Sequence, residues 1–141
     1  MRVISGISFL SSPLIEAKGV RHAFLSRRGG VSSAPFETLN FDERDTDAPE
    51  NIRENRRIIG QAFGINAERL VTVNQVHGNT VHLVTEKNIG GLTPDADAII
   101  TGLKSVPIGI MTADCLPIII YDPVNNAIGA AHGGWKGTAL G

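Results

Sequence analysis

The sequence predicts an α+β fold, with one clear amphipathic helix in the first half of the chain and mostly strands in the second half. Three apolar residues at helical spacing, Ile52, Ile59 and Ala62, predict the helix. Two apolar runs, residues 116–121 and 127–131, flank five turn-forming residues and predict a β-hairpin. Helix and strand patterns therefore occupy separate parts of the chain, as is typical of the α+β class.

Turn and cap signals set the bounds of the elements in the first half. Residues 1–10 and 20–25 are expected to form short strands around a turn at the Ser-Ser-Pro of residues 11–13. Asp47 is expected to cap the helix that follows, with Pro49 in its first turn. A glutamate at position 50 would complete a capping box, and a glycine at position 64 would end the helix.

Strand patterns follow one another through the second half. Strands are expected over residues 71–77, 80–84, 99–101 and 106–111. The first two would form a hairpin about the Gly-Asn pair at 78–79, which places His77 opposite Thr80 and Gln75 opposite His82.

Composition excludes several classes of function. The chain has 141 residues, a net charge of −1 and a pI of about 6.4, so it has no electrostatic footprint for nucleic acid or an anionic membrane. No stretch resembles a signal peptide or approaches a membrane span, which predicts a soluble cytoplasmic protein. The single cysteine excludes an internal disulfide.

The predicted hairpin brings the only cysteine close to a histidine. If Tyr121 pairs with Ala127, His132 falls opposite Leu116, one step from Cys115. An error of one residue in this register would keep the thiol and the imidazole close, but it would change whether they point to the same face of the sheet. The thiol then has three interpretations: a metal ligand, a nucleophile with the histidine as its base, or a buried core residue.

His77, Cys115 and His132 together offer two nitrogens and one sulfur. Three protein ligands with a fourth position left open are typical of catalytic zinc. The spacing of the three residues matches no standard metal motif, so the pattern alone leaves the nucleophile and core interpretations open.

Polar residues elsewhere have a functional and a structural interpretation. The loop at 26–40, with its paired arginines and glycines, could form a backbone nest for an anion or be a solvated loop. Asn55 lies on the buried stripe of the helix, with Arg56 on the flank. The amide either bonds a nearby backbone carbonyl or, with the arginine, supports a polar site. Asp95 and Asp97 either cap a turn or bind a metal or a hydroxyl group.

Four blocks of residues resemble, in order, the multicopper-oxidase-like, laccase-domain family. They are SRRGGVS…LN with ENRR at 26–57, NQVHGNTV at 74–81, DADAIITG at 95–102, and TADCLPIIIYDP…AHGGWKG at 112–137. The family is also called polyphenol oxidase-like, and its members are described as purine nucleoside phosphorylases. The departures are mild, with Gly134 where alanine is common and Lys136 where arginine is common.

The resemblance implies a fold and a domain organisation. The fold would be a four-layer α/β/β/α sandwich with mixed β-sheets, in a single domain over residues 1–141. The chain stops in GGWKGTALG, directly after the candidate site and not in a polar linker, so we expect an N-terminal part that lacks about 100 C-terminal residues.

The resemblance also implies an activity and its cofactor. His77, Cys115 and His132 would hold zinc, or copper in some members. The substrates would be phosphate and purine nucleosides: adenosine, inosine, guanosine and methylthioadenosine. Adenosine deamination would be a second activity, in which the metal activates water for attack on C6 of adenine. We expect a monomer or a weak homodimer.

Further residues are candidates for roles in that chemistry. The arginines Arg27, Arg28 and Arg56 would hold phosphate, since guanidinium pairs with it bidentately. The polar residues Asn40, Asn55 and Asp97 would orient the sugar or the base. Asp114, beside the cysteine, would act as an acid or base in catalysis or orient a ligating histidine.

Two enzymatic alternatives stay open at this stage. A copper-dependent, laccase-like polyphenol oxidase needs several coppers, for which a single set of three ligands is too few. A Cys-His hydrolase or deamidase would use the thiol as a free nucleophile, which a metal on the same sulfur would prevent.

Overall fold

A computed structural model describes residues 1–44 and 46–141 of the chain. The chain divides into two compact units, Met1–Glu68 and Arg69–Gly141. The elements in chain order are β1 Arg2–Ile4, β2 Ile7–Leu10, α1 Pro13–Glu16, β3 Phe24–Leu25, α2 Pro49–Phe63, a 3₁₀ turn Ala67–Arg69, β4 Val81–Leu83, β5 Ala98–Thr101, β6 Leu116–Asp122, β7 Ala127–Gly133 and α3 Trp135–Leu140. The predicted α+β class with mixed sheets is confirmed.

The first unit contains an antiparallel sheet in the order β1-β2-β3. The prediction of one strand over residues 1–10 is wrong, because Ser5 and Gly6 adopt positive φ angles of 48° and 83° and reverse the chain between β1 and β2. Two consecutive positive φ angles are typical of a tight hairpin turn. The Ser-Ser-Pro segment at 11–13 leads into the short helix α1 and not into a simple turn.

Helix α2 buries the face that its apolar spacing predicts. Ile52, Asn55 and Ile59 are buried, and Gly64 ends the helix in the left-handed conformation. The predicted cap is shifted by one residue: Ala48 is the N-cap, and it makes no side-chain cap bond. Asp47 instead accepts hydrogen bonds from the N–H of Ala48 and the side chain of Asn51.

The predicted capping box is also wrong. Glu50 forms an ion pair with Arg53 one turn along the exposed surface of the helix, at 2.9 Å.

The core of the first unit is built on Ile7, Leu39 and Ile59.

The second unit contains a mixed sheet in the order β4-β5-β7-β6, in which only the β4–β5 pair is parallel. Its core lies on one face of this sheet. The buried members of that core are Val73, Val84, Ala96, Ile99 and Val106.

The hairpin predicted at 71–84 and the strand predicted at 106–111 are both wrong. Residues 71–77 form no hairpin with 80–84, because Val71 and Asn74 make isolated parallel bridges to Ile108 and Asp95. Residues 80–84 instead supply β4, which pairs with β5. Residues 106–111 form no strand and contribute only the bridge at Ile108. The strand predicted at 99–101 is confirmed, one residue longer, as β5.

The β6–β7 hairpin is confirmed, with its register shifted by one residue. Asp122, and not Tyr121, pairs with Ala127, so Pro117 lies opposite His132. Successive side chains of a strand point to opposite faces of the sheet, and Cys115 is two positions before Pro117. The observed register therefore gives Cys115 and His132 the same facing, which the predicted register did not.

Candidate metal centre

Three side chains from distant parts of the sequence converge in the second unit. The ligand atoms of His77, Cys115 and His132 all lie within 4.8 Å of one another. His77 is exposed, the thiol is half-buried and free of any disulfide, and His132 is buried. The two imidazole rings meet edge to face, with their centroids 4.9 Å apart.

His132 is fixed by the sheet and by one carboxylate. It lies near the end of β7, where its N–H donates to the backbone carbonyl of Asp97 at 2.7 Å. Its Nδ1 is 2.8 Å from Asp97 Oδ1, and both side chains are almost fully buried. With Nδ1–H donated to the carboxylate, the lone pair of Nε2 is left to face a ligand.

The Asp97 carboxylate also organises the loop that carries His77. Its Oδ1 accepts the N–H of His77 at 2.9 Å, and its Oδ2 accepts the N–H groups of Val76 and Gly78 at 3.2 and 2.7 Å. His77 has a φ of 60°, a conformation uncommon for a residue other than glycine. The three converging donors offset the strain of that conformation, so one carboxylate positions both histidines.

The same contacts account for the charge state of Asp97. Burial opposes its ionisation, but the hydrogen bonds from His132 and from the backbone N–H groups of Gly78, Val76 and His77 outweigh burial and hold its pKa below the usual value. The group therefore remains a carboxylate, which accepts from all of these donors at neutral pH.

A second side chain ties the histidine loop to the segment before the cysteine. Gln75 is buried, and its amide both donates to the carbonyl of Met111 at 2.7 Å and accepts from its N–H at 2.8 Å. This pair of bonds fixes the segment that leads to Cys115 against the segment that leads to His77. The predicted partnership of Gln75 with His82 is wrong, because residues 71–77 do not pair with 80–84.

Two glycines permit close packing at the site, Gly134 against the imidazole rings and Gly137 against the backbone of Gly78. A Cβ on Gly134 would lie 3.2 Å from His77 Cδ2 and 3.3 Å from His132 Cε1. A Cβ on Gly137 would lie 2.2 Å from the carbonyl oxygen of Gly78, a distance that no side chain tolerates. The Gly-Gly-Trp-Lys-Gly segment at the start of α3 therefore packs directly against the loop that carries His77.

Asp114 has no comparable role in the geometry. It is exposed, has a φ of 151°, and has no hydrogen-bond partner among residues 1–44 and 46–141. The orienting role that we considered for it belongs to Asp97. Its role as a catalytic acid or base stays a prediction.

The remaining candidate residues lie in the first unit. Arg27 and Arg56 form ion pairs with Glu37 and Glu43, at 3.2 and 2.8 Å. Arg28 is exposed, and within the described part of the chain its guanidinium has no partner. Of the three predicted phosphate-binding arginines, Arg28 alone has a guanidinium that is not bound to another described residue.

Three backbone N–H groups of the loop at 26–40, for which we considered an anion nest and a solvated loop, bond to side chains of the same unit. Those of Gly29 and Gly30 donate to Thr38 Oγ1, and that of Val31 donates to Asn55 Oδ1. No donor array is therefore left for an anion at these three residues.

Asn55 is fully buried and holds this loop in place. Its amide accepts from Val31 and donates to Ser32 Oγ and to the backbone carbonyl of Asn40. The side chain of Asn40 in turn donates to Asp47 at 3.2 Å. The structural interpretation of Asn55, a bond to a backbone carbonyl, is confirmed. Substrate binding by Asn40 and Asn55 stays a prediction.

The donor set of the cluster fits a transition metal. Two imidazole nitrogens and one thiolate suit zinc and copper ions, which accept mixed nitrogen and sulfur ligands. Three protein ligands leave one tetrahedral position open. In the part of the chain that the structure describes, this is the one group of histidine, cysteine or acidic side chains with such geometry.

Comparison with known proteins places this cluster in a family. The profile of the family described as multi-copper polyphenol oxidoreductase laccase matches residues 21–141, a stretch that contains all three ligands. The chain belongs to this laccase family.

Curated relatives of this laccase-family chain carry a different functional name. A purine nucleoside phosphorylase from Deinococcus radiodurans is 43% identical over 128 residues, which cover 89% of this chain and 49% of the relative. The purine nucleoside phosphorylase YlmD from Bacillus subtilis is 36% identical over 128 residues, covering 86% of this chain and 46% of the relative.

Solved structures show the same fold. The hypothetical protein YfiH from Bacillus licheniformis superposes with a TM-score of 0.85 at 27% identity, over 96% of this chain and 52% of that one. YlmD from Geobacillus stearothermophilus gives a TM-score of 0.79 at 31% identity, over 84% and 46% of the two chains.

The laccase-family chain spans about half the length of the curated relatives that it matches. Among residues 1–44 and 46–141, no helix combines the length and the apolar character that crossing a bilayer requires.

Proposed function

We propose that this chain carries the metal-binding part of a zinc-dependent purine nucleoside phosphorylase. The observation that supports this most is the convergence of His77, Cys115 and His132 within 4.8 Å, with Asp97 behind both histidines. The names of the curated relatives supply the reaction class. The substrates we propose are phosphate and adenosine, inosine, guanosine or methylthioadenosine, with adenosine deamination as a second activity and copper as an alternative metal.

In this proposal, each of the candidate residues would have a separate role. His77, Cys115 and His132 would hold the metal, and Asp97 would keep the proton of His132 on Nδ1 so that Nε2 stays free to bind. When bound, the metal would supply Lewis acidity, which stabilises negative charge on the purine or activates water. Arg28, whose guanidinium has no partner among the described residues, would attract the phosphate. Arg27 and Arg56 would join it only by leaving Glu37 and Glu43.

The reaction itself tests the proposal. Zinc-loaded chain, alone and mixed with the part of the Deinococcus radiodurans relative that it does not match, is incubated with inosine and phosphate. Release of hypoxanthine and ribose 1-phosphate is followed by chromatography. We expect release that depends on phosphate, is abolished in Cys115→Ala and persists in His82→Ala, a histidine in β4 outside the cluster. Absence of hypoxanthine under both conditions would contradict the proposal.

The family description favours a second candidate, a copper-dependent oxidase of phenols. The described residues provide one set of three ligands, whereas multicopper oxidation needs several metal ions. Elemental analysis of copper-loaded chain distinguishes the two functions. One metal per chain favours the phosphorylase, and several tightly bound coppers with turnover of a phenol would favour the oxidase.

A further inference from the structure

The thiol of the candidate metal centre lies at the end of a stretch without hydrogen bonds. Strand β6 begins at Leu116, which pairs with Gly133 of β7, so the ladder holds the chain only from the residue after Cys115 onward. Among residues 1–44 and 46–141, the stretch 112–115 makes no hydrogen bond, and Asp114 within it has a φ of 151°. The strand alone therefore does not set the direction in which the Cys115 side chain points.

The fixed point before this stretch is Met111, which is bound by a side chain of the loop that carries His77. The amide of Gln75 donates to the carbonyl of Met111 at 2.7 Å and accepts its N–H at 2.8 Å. One side chain thus bonds both polar groups of one residue, as the backbone of a neighbouring strand would. Gln75 is only 8% exposed, and hydrogen bonds in such a low-dielectric setting are stronger than hydrogen bonds in water.

Gln75 projects from a backbone that is itself well anchored. Asn74, the residue before it, exchanges two backbone hydrogen bonds with residues 94–96, at 2.9 and 3.1 Å. Val73, one residue earlier, is buried in the core of the unit. Because its own backbone is held in this way, Gln75 can fix the position of Met111.

We propose that Gln75 is the positioning residue of the thiolate ligand. It would hold Met111 so that the chain turns through residues 112–114 toward the two imidazoles and brings the Cys115 sulfur within 4.8 Å of their nitrogens. This inference rests on the metal ligands of the proposed function, but not on the reaction that the metal serves.

The support of the thiolate is separate from the support of the histidines. Asp97 bonds the ring of His132 and the N–H of His77, whereas the Gln75 amide bonds the segment that leads to the cysteine. Loss of the amide should therefore remove the sulfur from the metal and leave the two nitrogens in place. The remaining pair of imidazoles would lack the soft, negatively charged ligand that zinc and cobalt bind well.

Cobalt(II) tests the proposal, because a cobalt–thiolate bond gives a charge-transfer band in the near ultraviolet that imidazole ligands do not give. Metal-free 141-residue chain is titrated with cobalt, and the band per bound cobalt is compared among variants. The test variant is Gln75→Leu, which is close in size and removes both bonds to Met111. Gln75→Asn, whose amide is one methylene too short to reach Met111, is a milder second variant that keeps the test decisive if the first does not fold.

The matched control is Asn88→Leu. The amide of Asn88 also bonds two backbone groups in this unit, since it accepts the N–H of Thr85 at 2.7 Å and donates to the carbonyl of Leu83 at 2.9 Å. Neither of these residues belongs to a segment that leads to a ligand. The control therefore loses a similar pair of hydrogen bonds without a change at the centre.

We expect both Gln75 variants to lose most of the charge-transfer band and to bind cobalt about 10–100-fold more weakly, as is typical when a contact behind a metal ligand is removed. In zinc-saturated chain, Cys115 of these variants should react readily with iodoacetamide, whereas the thiol of the unaltered chain and of Asn88→Leu should stay protected. A role in stability alone would lower the unfolding midpoint of the Gln75 variants but would leave the band and the protection as they are in the control.

Two results would overturn the proposal. A full band and a protected thiol in the Gln75 variants would show that the β6–β7 ladder positions Cys115 without the amide, and the proposed function would be unaffected. An unaltered chain that gives no band would show that the sulfur is not a ligand, and that result would contradict the proposed metal site as well.

Discussion

At the scale of single residues, the Asp97 carboxylate is the group on which both histidines depend. It accepts the backbone N–H of His77 and the ring N–H of His132 on the same oxygen. Replacing this carboxylate oxygen by an amide nitrogen would put a hydrogen-bond donor where the two histidines need an acceptor. Contacts of this kind behind metal ligands typically change metal affinity by about 10–100-fold.

We therefore expect Asp97→Asn to weaken zinc binding by about 10–100-fold, measured by competition with a chromophoric chelator. The matched control is Asp95→Asn, an exposed carboxylate two residues away that binds Asn74. This control should bind zinc as the unaltered chain does. Equal weakening in the two variants would show that Asp97 has no special role in positioning the ligands.

At the scale of elements, the start of helix α2 holds the preceding loop through Asp47. Its carboxylate accepts hydrogen bonds from the side chains of Ser32, Asn51 and Asn40 and from the N–H of Ala48. These bonds lower the pKa of Asp47, and the bond from Ser32 has the largest effect. A carboxyl group with a lowered pKa in the folded state stabilises that state above its unfolded pKa of about 3.9, and the contribution disappears as the pH falls through the folded value.

The lowered pKa of Asp47 predicts how its contribution to the free energy of unfolding changes with pH. Urea unfolding of metal-free chain and of Asp47→Asn is compared from pH 7 to pH 3. Asp47→Asn should be less stable at pH 7, the difference should stay constant down to about pH 5, and it should shrink as the pH falls below about 4. A difference that is constant over the whole range would show that the ionised form of Asp47 contributes nothing.

Elements with local signals were predicted well from the sequence. The β6–β7 hairpin and helix α2 have strong periodicity and turn residues within a few positions, so both were found with bounds correct to one or two residues. The hairpin predicted at 71–84 does not form, because the conformation around its Gly-Asn pair is determined by a residue that is distant in the sequence. The carboxylate that collects the N–H groups of Val76, His77 and Gly78 is about 20 residues further along the chain.

The three ligands of the candidate site were predicted together, but the residue that positions the two histidines was not. Asp97 was assigned to substrate because nothing in the adjacent sequence distinguishes it from Asp95. One signal was present: Asp97, Ile99 and Thr101 alternate on one face of a strand, and all three are buried. An aspartate on an inward face must find donors, which points to a structural partner and not to solvent or substrate.

At the scale of the whole molecule, metal binding and folding are linked. The ligands come from a loop, from the residue just before β6 and from the end of β7, so the unfolded chain cannot present them together. A ligand that binds only the folded state at about 100 times its Kd adds about 2.7 kcal/mol to the free energy of unfolding. Metal should therefore stabilise the chain against denaturant in proportion to its affinity.

We expect zinc in excess of its Kd to raise the free energy of unfolding by about 2–3 kcal/mol, and a chelator to reverse the increase. The increase should be nearly lost in Cys115→Ala and retained in His82→Ala. Urea titrations with and without metal measure it. An equal increase in all three chains would mean that zinc binds outside the cluster.

The register of the β6–β7 ladder has a consequence for which changes in length the chain can accept. Residues added in the turn at 123–126 leave every pair in the ladder intact. One residue added within β7, between Ala127 and His132, would rotate the imidazole to the outer surface and bring an apolar residue to the inner one, unless a bulge absorbed it. Natural variation in this family should therefore accumulate at the tip of the hairpin, while the number of residues from tip to imidazole stays constant.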